Sequence, residues 1–167
     1  MSAISCMVFD VDGVLTDGGI SITDAGDEIK TFNSRDGHGM KLLMRAGIEV
    51  AILTGRTSRV VEHRARELGI THVVQGARDK RVALLDLAER IGIDPAAMAY
   101  MGDDVVDLPP MVLCGLTFAP ADAVDMVRDR ADVVTTLPGG RGAAREAIEV
   151  LLKRLGLFEK VMERYGV

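Results

Sequence analysis

Short apolar runs alternate with longer stretches in which apolar positions recur every three or four residues. This rhythm continues from Ile4 nearly to the end of the chain. The runs Ile4–Phe9, Glu49–Leu53, His72–Val74, Met98–Met101, Leu116–Phe118 and Val133–Thr135 predict strands. The stretches between them predict helices over Gly39–Ala46, Ser58–Leu68, Lys80–Ile91, Ala123–Arg130 and Ala143–Leu155. Strands that read as continuous apolar runs are covered on both faces, and their alternation with helices makes the sheet parallel. The predicted class is therefore α/β: a doubly wound, Rossmann-like, mostly parallel sheet with helices on both faces. Ligands of such sheets bind at the carboxyl ends of the strands.

One segment departs from the rhythm. Gly19 to Asn33 shows two short alternating stretches around Asp24-Ala25-Gly26, the pattern of a β-hairpin with a glycine turn. It follows the first strand directly, so it is expected to stand over the same sheet edge as a flap. Pro138-Gly139-Gly140-Arg141-Gly142 is too short for a linker and is read as the turn into the last helix. The tail, 156–167, mixes charge with Leu157, Phe158, Val161 and Tyr165, and is expected either to dock on a neighbouring subunit or to fray. No repeat or linker divides the 167 residues, which form one domain, 1–167.

Composition narrows the partners. Apolar residues make up 48% of the chain and charged residues 27%, as in a globular protein. A net charge of −5 without a basic stripe, 4% aromatic residues and no Trp argue against a nucleic-acid binder. No apolar run is long enough for a bilayer, and the N-terminus shows no secretion signal, so no membrane association and a cytoplasmic location are expected. Cys6 and Cys114 lack metal-ligand spacing and are read as buried, reduced thiols.

Chemistry concentrates where predicted strands end. Asp10 and Asp12 alternate after the first strand, and Gly13 turns the chain. Such a pair suits a divalent cation, and one carboxylate is free to attack an electrophile. A calcium loop would need more acidic residues where Val14 and Leu15 stand. Thr54-Gly55-Arg56 offers a hydroxyl, backbone N–H groups and a cation to a phosphate oxygen. Lys80 opens a helix, where a cation opposes the helix dipole, which points to another use such as neutralising a phosphoryl group or an aspartate. Asp103, Asp104 and Asp107 cluster after the fourth strand. Like charges held close repel unless a cation sits among them, which argues for Mg²⁺.

In this order, Asp-x-Asp-Gly, Thr, Lys and Gly-Asp-Asp, the chain resembles the haloacid dehalogenase-like phosphatases over essentially its whole length. The segments DVDGVLTDG, FNSRDGHGMK, AILTGRTS, GDDVVDLPP and GGRGAAREA are similar to the branch of 3-deoxy-D-manno-octulosonate 8-phosphate phosphatases. These lack a large cap domain. The resemblance implies a hairpin that lines the site, a homotetramer in which a neighbouring subunit closes it, and lipopolysaccharide precursor synthesis as the setting. It implies that Asp10 is the nucleophile that forms an aspartyl-phosphate, and Asp12 the acid/base. Asp10, Asp103 and the main-chain carbonyl of Asp12 would hold Mg²⁺. Thr54 and Lys80 would bind the transferring phosphoryl group, with Asp104 and Asp107 orienting metal waters or Lys80. For a substrate that is both sugar acid and phosphate, Arg56 and Arg64 are the candidates for its carboxylate. Asn33, Arg35, Asp36, Gly37, Lys41 and Gly55 are candidates for the remaining contacts. His38, His63 and His72 receive no role. The tail is short against the longest members of the family.

Two other readings stand beside this one. Sialic-acid-type sugar 9-phosphate phosphatases share much of the pattern and the same chemistry. Related modules also serve as non-catalytic oligomerisation domains; against that stand Asp10, Asp12, Thr54, Lys80 and Asp103, all present.

Overall fold

A computed structural model describes residues 4–167. Met1 to Ala3, the start of the segment read above as lacking a secretion signal, lie outside the described residues. In chain order the elements are β1 (Cys6–Phe9), β2 (Ser21–Ile22), β3 (Glu28–Ile29), α1 (Ser34–Arg45), β4 (Glu49–Leu53), α2 (Arg59–Leu68), β5 (His72–Val74) and α3 (Lys80–Ile91). Then come β6 (Met98–Met101), α4 (Leu108–Met111), β7 (Leu116–Ala119), α5 (Asp125–Arg128), β8 (Val133–Val134), α6 (Ala143–Arg154) and α7 (Phe158–Met162). Six strands form a parallel sheet in the order β5-β4-β1-β6-β7-β8, while β2 and β3 pair separately as an antiparallel hairpin. The doubly wound class is as expected.

The sheet alternation sorts β1 between two cores. Met7 and Phe9 face the layer built from α1, α2 and α6, whereas Cys6 and Val8 face α3, α4 and α5. All four are fully buried, which is why the run carries no polar residue. The chain leaves β1 for β4 and β5 on one side and fills β6, β7 and β8 on the other. The crevice at that reversal lies at the end of β1, where Asp10 stands.

Several boundaries move. Helix α1 begins at Ser34, five residues before the expected Gly39, because the Asn33 side chain caps it by accepting from the N–H groups of Arg35 and Asp36. The stretch expected as a substrate loop, 33–37, is thus a helix cap and first turn. Strand β1 is shorter than expected at its start, β7 gains Ala119, and β8 ends at Val134. The helix expected over Ala123–Arg130 shrinks to the single turn of α5.

The tail packs on its own chain. It forms α7, whose Val161 is buried in the α1–α6 core, and a 3₁₀ turn over Glu163–Tyr165. The Tyr165 hydroxyl accepts from Arg45 at 2.5 Å and meets His38 Nε2 at 3.0 Å, which ties the tail to α1 of its own chain. Cys6 is buried, Cys114 only half-buried, and both are free. Burial pushes each thiol up to about 12, which makes them poor nucleophiles.

Candidate active site

Sheet register assembles the site. Phe9 lies level with Ile52 of β4 and Met101 of β6, so Asp10 emerges beside Leu53 and Gly102, and Thr54 and Asp103 follow one step on. The Asp10 N–H donates to the Met101 carbonyl at 3.0 Å, which extends the ladder by one residue and stiffens the backbone at Asp10. The next residues turn sharply. Gly13 has φ +87°, and a Cβ there would lie 2.0 Å from Asp103 Oδ2, so only glycine lets the two acidic segments touch. A second glycine supports the turn from outside. A Cβ on Gly139 would fall 1.9 Å from the Gly13 carbonyl, and the neighbouring Gly140 N–H donates to Val14 O at 2.9 Å. The 138–142 loop therefore buttresses the Asp-x-Asp turn, as well as leading into α6.

Lys80 is fixed from the other side of the sheet. Asp79 caps α3 by accepting from the Arg81 and Val82 N–H groups, so Lys80 takes the first helical position. Its ammonium lies 2.8 Å from Asp10 Oδ2 and 2.6 Å from Asp107 Oδ1. Burial alone would push Lys80 down, but Asp10 and Asp107 outweigh it and raise its pKa, keeping it charged. Asp107 is completely buried. Its Oδ1 also accepts from the Tyr100 hydroxyl at 2.8 Å, and its Oδ2 accepts from the N–H groups of Asp103 and Asp104 at 3.0 and 3.3 Å. Both oxygens are fully engaged. Asp107 aims Lys80 and holds the 103–104 backbone, whereas Asp104 is exposed and caps the following turn through the Val105 N–H.

Carboxylate oxygens of Asp10, Asp103 and Asp107 lie within 4.8 Å of one another. Burial, then repulsion from Asp107, lifts Asp10 to about 6 against the pull of Lys80. Burial, then repulsion from Asp10 and Asp107, lifts Asp103 to about 7. Asp103 makes no side-chain hydrogen bond among the described residues, and the Asp12 carbonyl accepts none. A buried, strained carboxylate beside a second one and a free carbonyl forms a hard, all-oxygen donor set that fits Mg²⁺.

Asp12 points elsewhere. Its carboxylate is outside the acidic cluster, so any metal contact falls to its main-chain carbonyl. It pairs instead with Lys30, and Arg56 Nε stands 3.9 Å from its Oδ2. Glu28 braces both cations, at 3.2 Å from Lys30 and 2.8 Å from Arg56. Sequence reasoning missed Lys30 and Glu28. The signal available was alternation in β3: Glu28 and Lys30 share one face, and Ile29, 56% exposed, lies on the other.

Asp10, Asp12, Gly18, Thr54, Gly55, Arg56, Lys80, Asp103, Asp104 and Val106 line a cavity of about 300 Å³. The other substrate candidates do not line it in a single copy of the chain. Asn33, Asp36, Gly37 and Arg64 instead border a narrow crevice with Phe32 and Val11. Arg64 is held there by Asn33 O at 3.4 Å, by Glu67 at 2.8 Å and by the Phe32 ring. Asp36 is buried and accepts from the Arg145 N–H at 2.8 Å, which ties α1 to α6, and burial raises its pKa. Arg35 is exposed and Lys41 half-buried on α1.

A family model for haloacid dehalogenase-like hydrolases matches residues 38–115, from α1 to the turn before β7. The chain is 46% identical to the 3-deoxy-D-manno-octulosonate 8-phosphate phosphatase of Escherichia coli (strain K12), over 94% of this chain and 84% of that one. Among solved structures, it is similar to a probable YrbI family phosphatase from Pseudomonas syringae, with a TM-score of 0.96, 44% identity and coverage of 99% and 94%. It is also similar to the 3-deoxy-D-manno-octulosonate 8-phosphate phosphatase from Moraxella catarrhalis, solved with magnesium, phosphate and the sugar acid. That match has a TM-score of 0.94, 40% identity and coverage of 97% and 93%. Similarity of this extent, on a sheet edge that already brings Asp10, Thr54, Lys80 and Asp103 to one cavity, shows that the chain belongs to the haloacid dehalogenase-like hydrolases, among the 3-deoxy-D-manno-octulosonate 8-phosphate phosphatases.

Proposed function

We propose that this phosphatase hydrolyses 3-deoxy-D-manno-octulosonate 8-phosphate with Mg²⁺. The observation that carries the reading is the Lys80 ammonium clamped between Asp10 and Asp107, beside the unpaired carboxylate of Asp103. Asp10 is the nucleophile. Its Oδ1 accepts from the Val11 N–H at 2.7 Å and its Oδ2 from Lys80, so the plane of the carboxylate is set before substrate arrives. Attack forms the Asp10–phosphorus bond and breaks the bond from phosphorus to the sugar oxygen, which takes a proton from Asp12. Water then attacks the aspartyl-phosphate, gives a proton back to Asp12, and frees Asp10 and inorganic phosphate. Lys80 and Thr54 meet the equatorial phosphoryl oxygens, where charge accumulates in the transition state. Asp10, Asp103 and the Asp12 carbonyl would hold Mg²⁺, which would supply charge neutralisation for an anionic substrate.

Arg56 is the cation of the cavity best placed for the sugar acid's carboxylate, since it is half exposed and lines the wall. A homotetramer in which a neighbour closes this cavity is supported by the exposed apolar side chains of the flap. Ile20 and Ile22 on one face of the hairpin and Ile29 on the other are 59%, 62% and 56% exposed, apolar side chains of a kind that oligomer contacts cover. The two free cysteines support a cytoplasmic setting. The test is phosphate release over a panel of sugar-acid phosphates with magnesium, with Asp10→Asn as control. The 8-phosphate is expected to turn over fastest, and the control to be inactive but folded by circular dichroism. Release at a wild-type rate from purified Asp10→Asn would overturn the assignment.

A further inference from the structure

Lys30 lies on the flap, eighteen residues from Asp12 and outside every motif read from the sequence. Its side chain is only 2% exposed, although the hairpin around it is open to water. A lysine buried this deeply on a surface flap needs a reason, because burying an ammonium is costly unless it is paired. Its partners are Asp12 Oδ1 and Glu28 Oε1. Glu28 in turn accepts from Arg56 Nη2, and Arg56 reaches back toward Asp12 Oδ2 without hydrogen-bonding it. The arrangement occupies one oxygen of Asp12 and leaves the other without a hydrogen bond, on a residue that lines the cavity.

We propose that Lys30 is a positioning residue for proton transfer to the leaving group. By binding Oδ1 it holds the Asp12 carboxyl away from the acidic cluster and turns Oδ2 toward the sugar oxygen. Glu28 keeps the ammonium in place, and the flap thereby becomes part of the acid/base apparatus. The inference rests on Asp12 being the acid/base of the proposed hydrolysis. It separates Lys30 from a substrate-binding cation, which would act on affinity, and from a purely structural ion pair, which would act on folding.

The experiment compares Lys30→Met and Lys30→Arg with the wild type on two probes. The primary alkoxide of 3-deoxy-D-manno-octulosonate 8-phosphate needs a proton to depart, whereas the p-nitrophenolate of p-nitrophenyl phosphate does not. For Lys30→Met, kcat on the sugar phosphate is expected to fall about tenfold or more, with KM changed less than about threefold. The rapid-quench rate of p-nitrophenolate release in the first turnover is expected to stay within about threefold of wild type. Lys30→Arg, which keeps a buried cation, is expected to recover most of the sugar-phosphate rate. An equal fall on both probes, a loss confined to KM, or no change overturns the proposal. If Lys30→Met does not fold, as judged by thermal melting, Glu28→Gln takes its place with the same expected selectivity. Wild-type protein inactive on both probes defeats the phosphatase reading; active wild type with unselective variants defeats only the role of Lys30.

Discussion

Replacing Asp103 by Asn is expected to stabilise the metal-free protein while it abolishes turnover. Asp103 stands at about 7 against the usual 3.8, through burial first and then repulsion from Asp10 and Asp107. A carboxyl raised in the native state binds more protons folded than unfolded, so its contribution is complete below the unfolded value and is lost as pH rises through the folded one. The window is therefore from about pH 4 to about pH 7. A shift of roughly three units corresponds to about 4 kcal/mol, and because Asp103 is only half-buried, screening by water reduces this to about 2 kcal/mol. Asparagine keeps the shape and the packing against Gly13 but carries no charge. In chelator at about pH 8 the variant should melt roughly 4–8 °C above the wild type, and near pH 4.5 the two should nearly coincide. Magnesium should close or invert the gap, since the wild type alone gains the full binding energy. Melting curves at both pH values, with chelator and with magnesium, provide the assay. A variant less stable than wild type in chelator at pH 8, or a margin independent of pH, refutes the reasoning that the acidic cluster is strained without a cation.

Two further outcomes follow from the same geometry. Gly139→Ala would put a methyl group 1.9 Å from the Gly13 carbonyl, so the loop or the Asp-x-Asp turn must shift. A loss of about 1–3 kcal/mol in thermal or urea unfolding is expected, together with reduced kcat, and a fully active, equally stable variant would show that the loop does not buttress the turn. If a neighbouring subunit closes the cavity by covering the exposed isoleucines of the flap, dilution to monomer should raise KM severalfold. Kinetics measured alongside light scattering that stay unchanged through dissociation would exclude it.

Much of this fold could be read from the chain. The bounds of β4, β5, β6 and α3 fall where periodicity placed them, because each run is punctuated by a cap or a polar turn. Helix α1 was obscured at its start by Gly37, which fell in the segment read as preceding the helix. In three dimensions Gly37 accepts the Arg64 guanidinium against its Cα, and Gly39 accepts α6, so these glycines serve close packing inside a helix rather than a turn. In the site, Asp10, Asp12, Thr54, Lys80 and Asp103 were legible since each closes a strand or opens a helix on the same edge. Which of the three later acids turns inward was not legible. That choice is made by the 3₁₀ turn over Val105–Asp107, which folds Asp107 back beneath Tyr100. Lys30 was hidden for a different reason: a hairpin's sequence fixes which residues share a face, but not where that face docks.

The charges of the site separate into two sets with different consequences. The inner set is Asp10, Asp103 and Asp107 against Lys80, three carboxylates and one ammonium, which leaves two negative charges when all are ionised. A phosphate dianion meeting that field would be repelled, and one divalent cation brings the set to neutrality. The outer set is Asp12 and Glu28 against Lys30 and Arg56, two of each sign, and is already balanced. Protonation of Asp12, which its proposed acid/base role requires, leaves the outer set with one positive charge. The flap is then most attractive to an anionic sugar acid in the protonation state that is ready to release its alkoxide. This division explains why Lys80 is locked to the buried Asp107 while Arg56 stands half exposed on the cavity wall. The inner cation must not move during phosphoryl transfer, whereas in the outer set Arg56 is the cation placed to exchange a protein carboxylate for a substrate one, and Lys30 stays paired with Asp12.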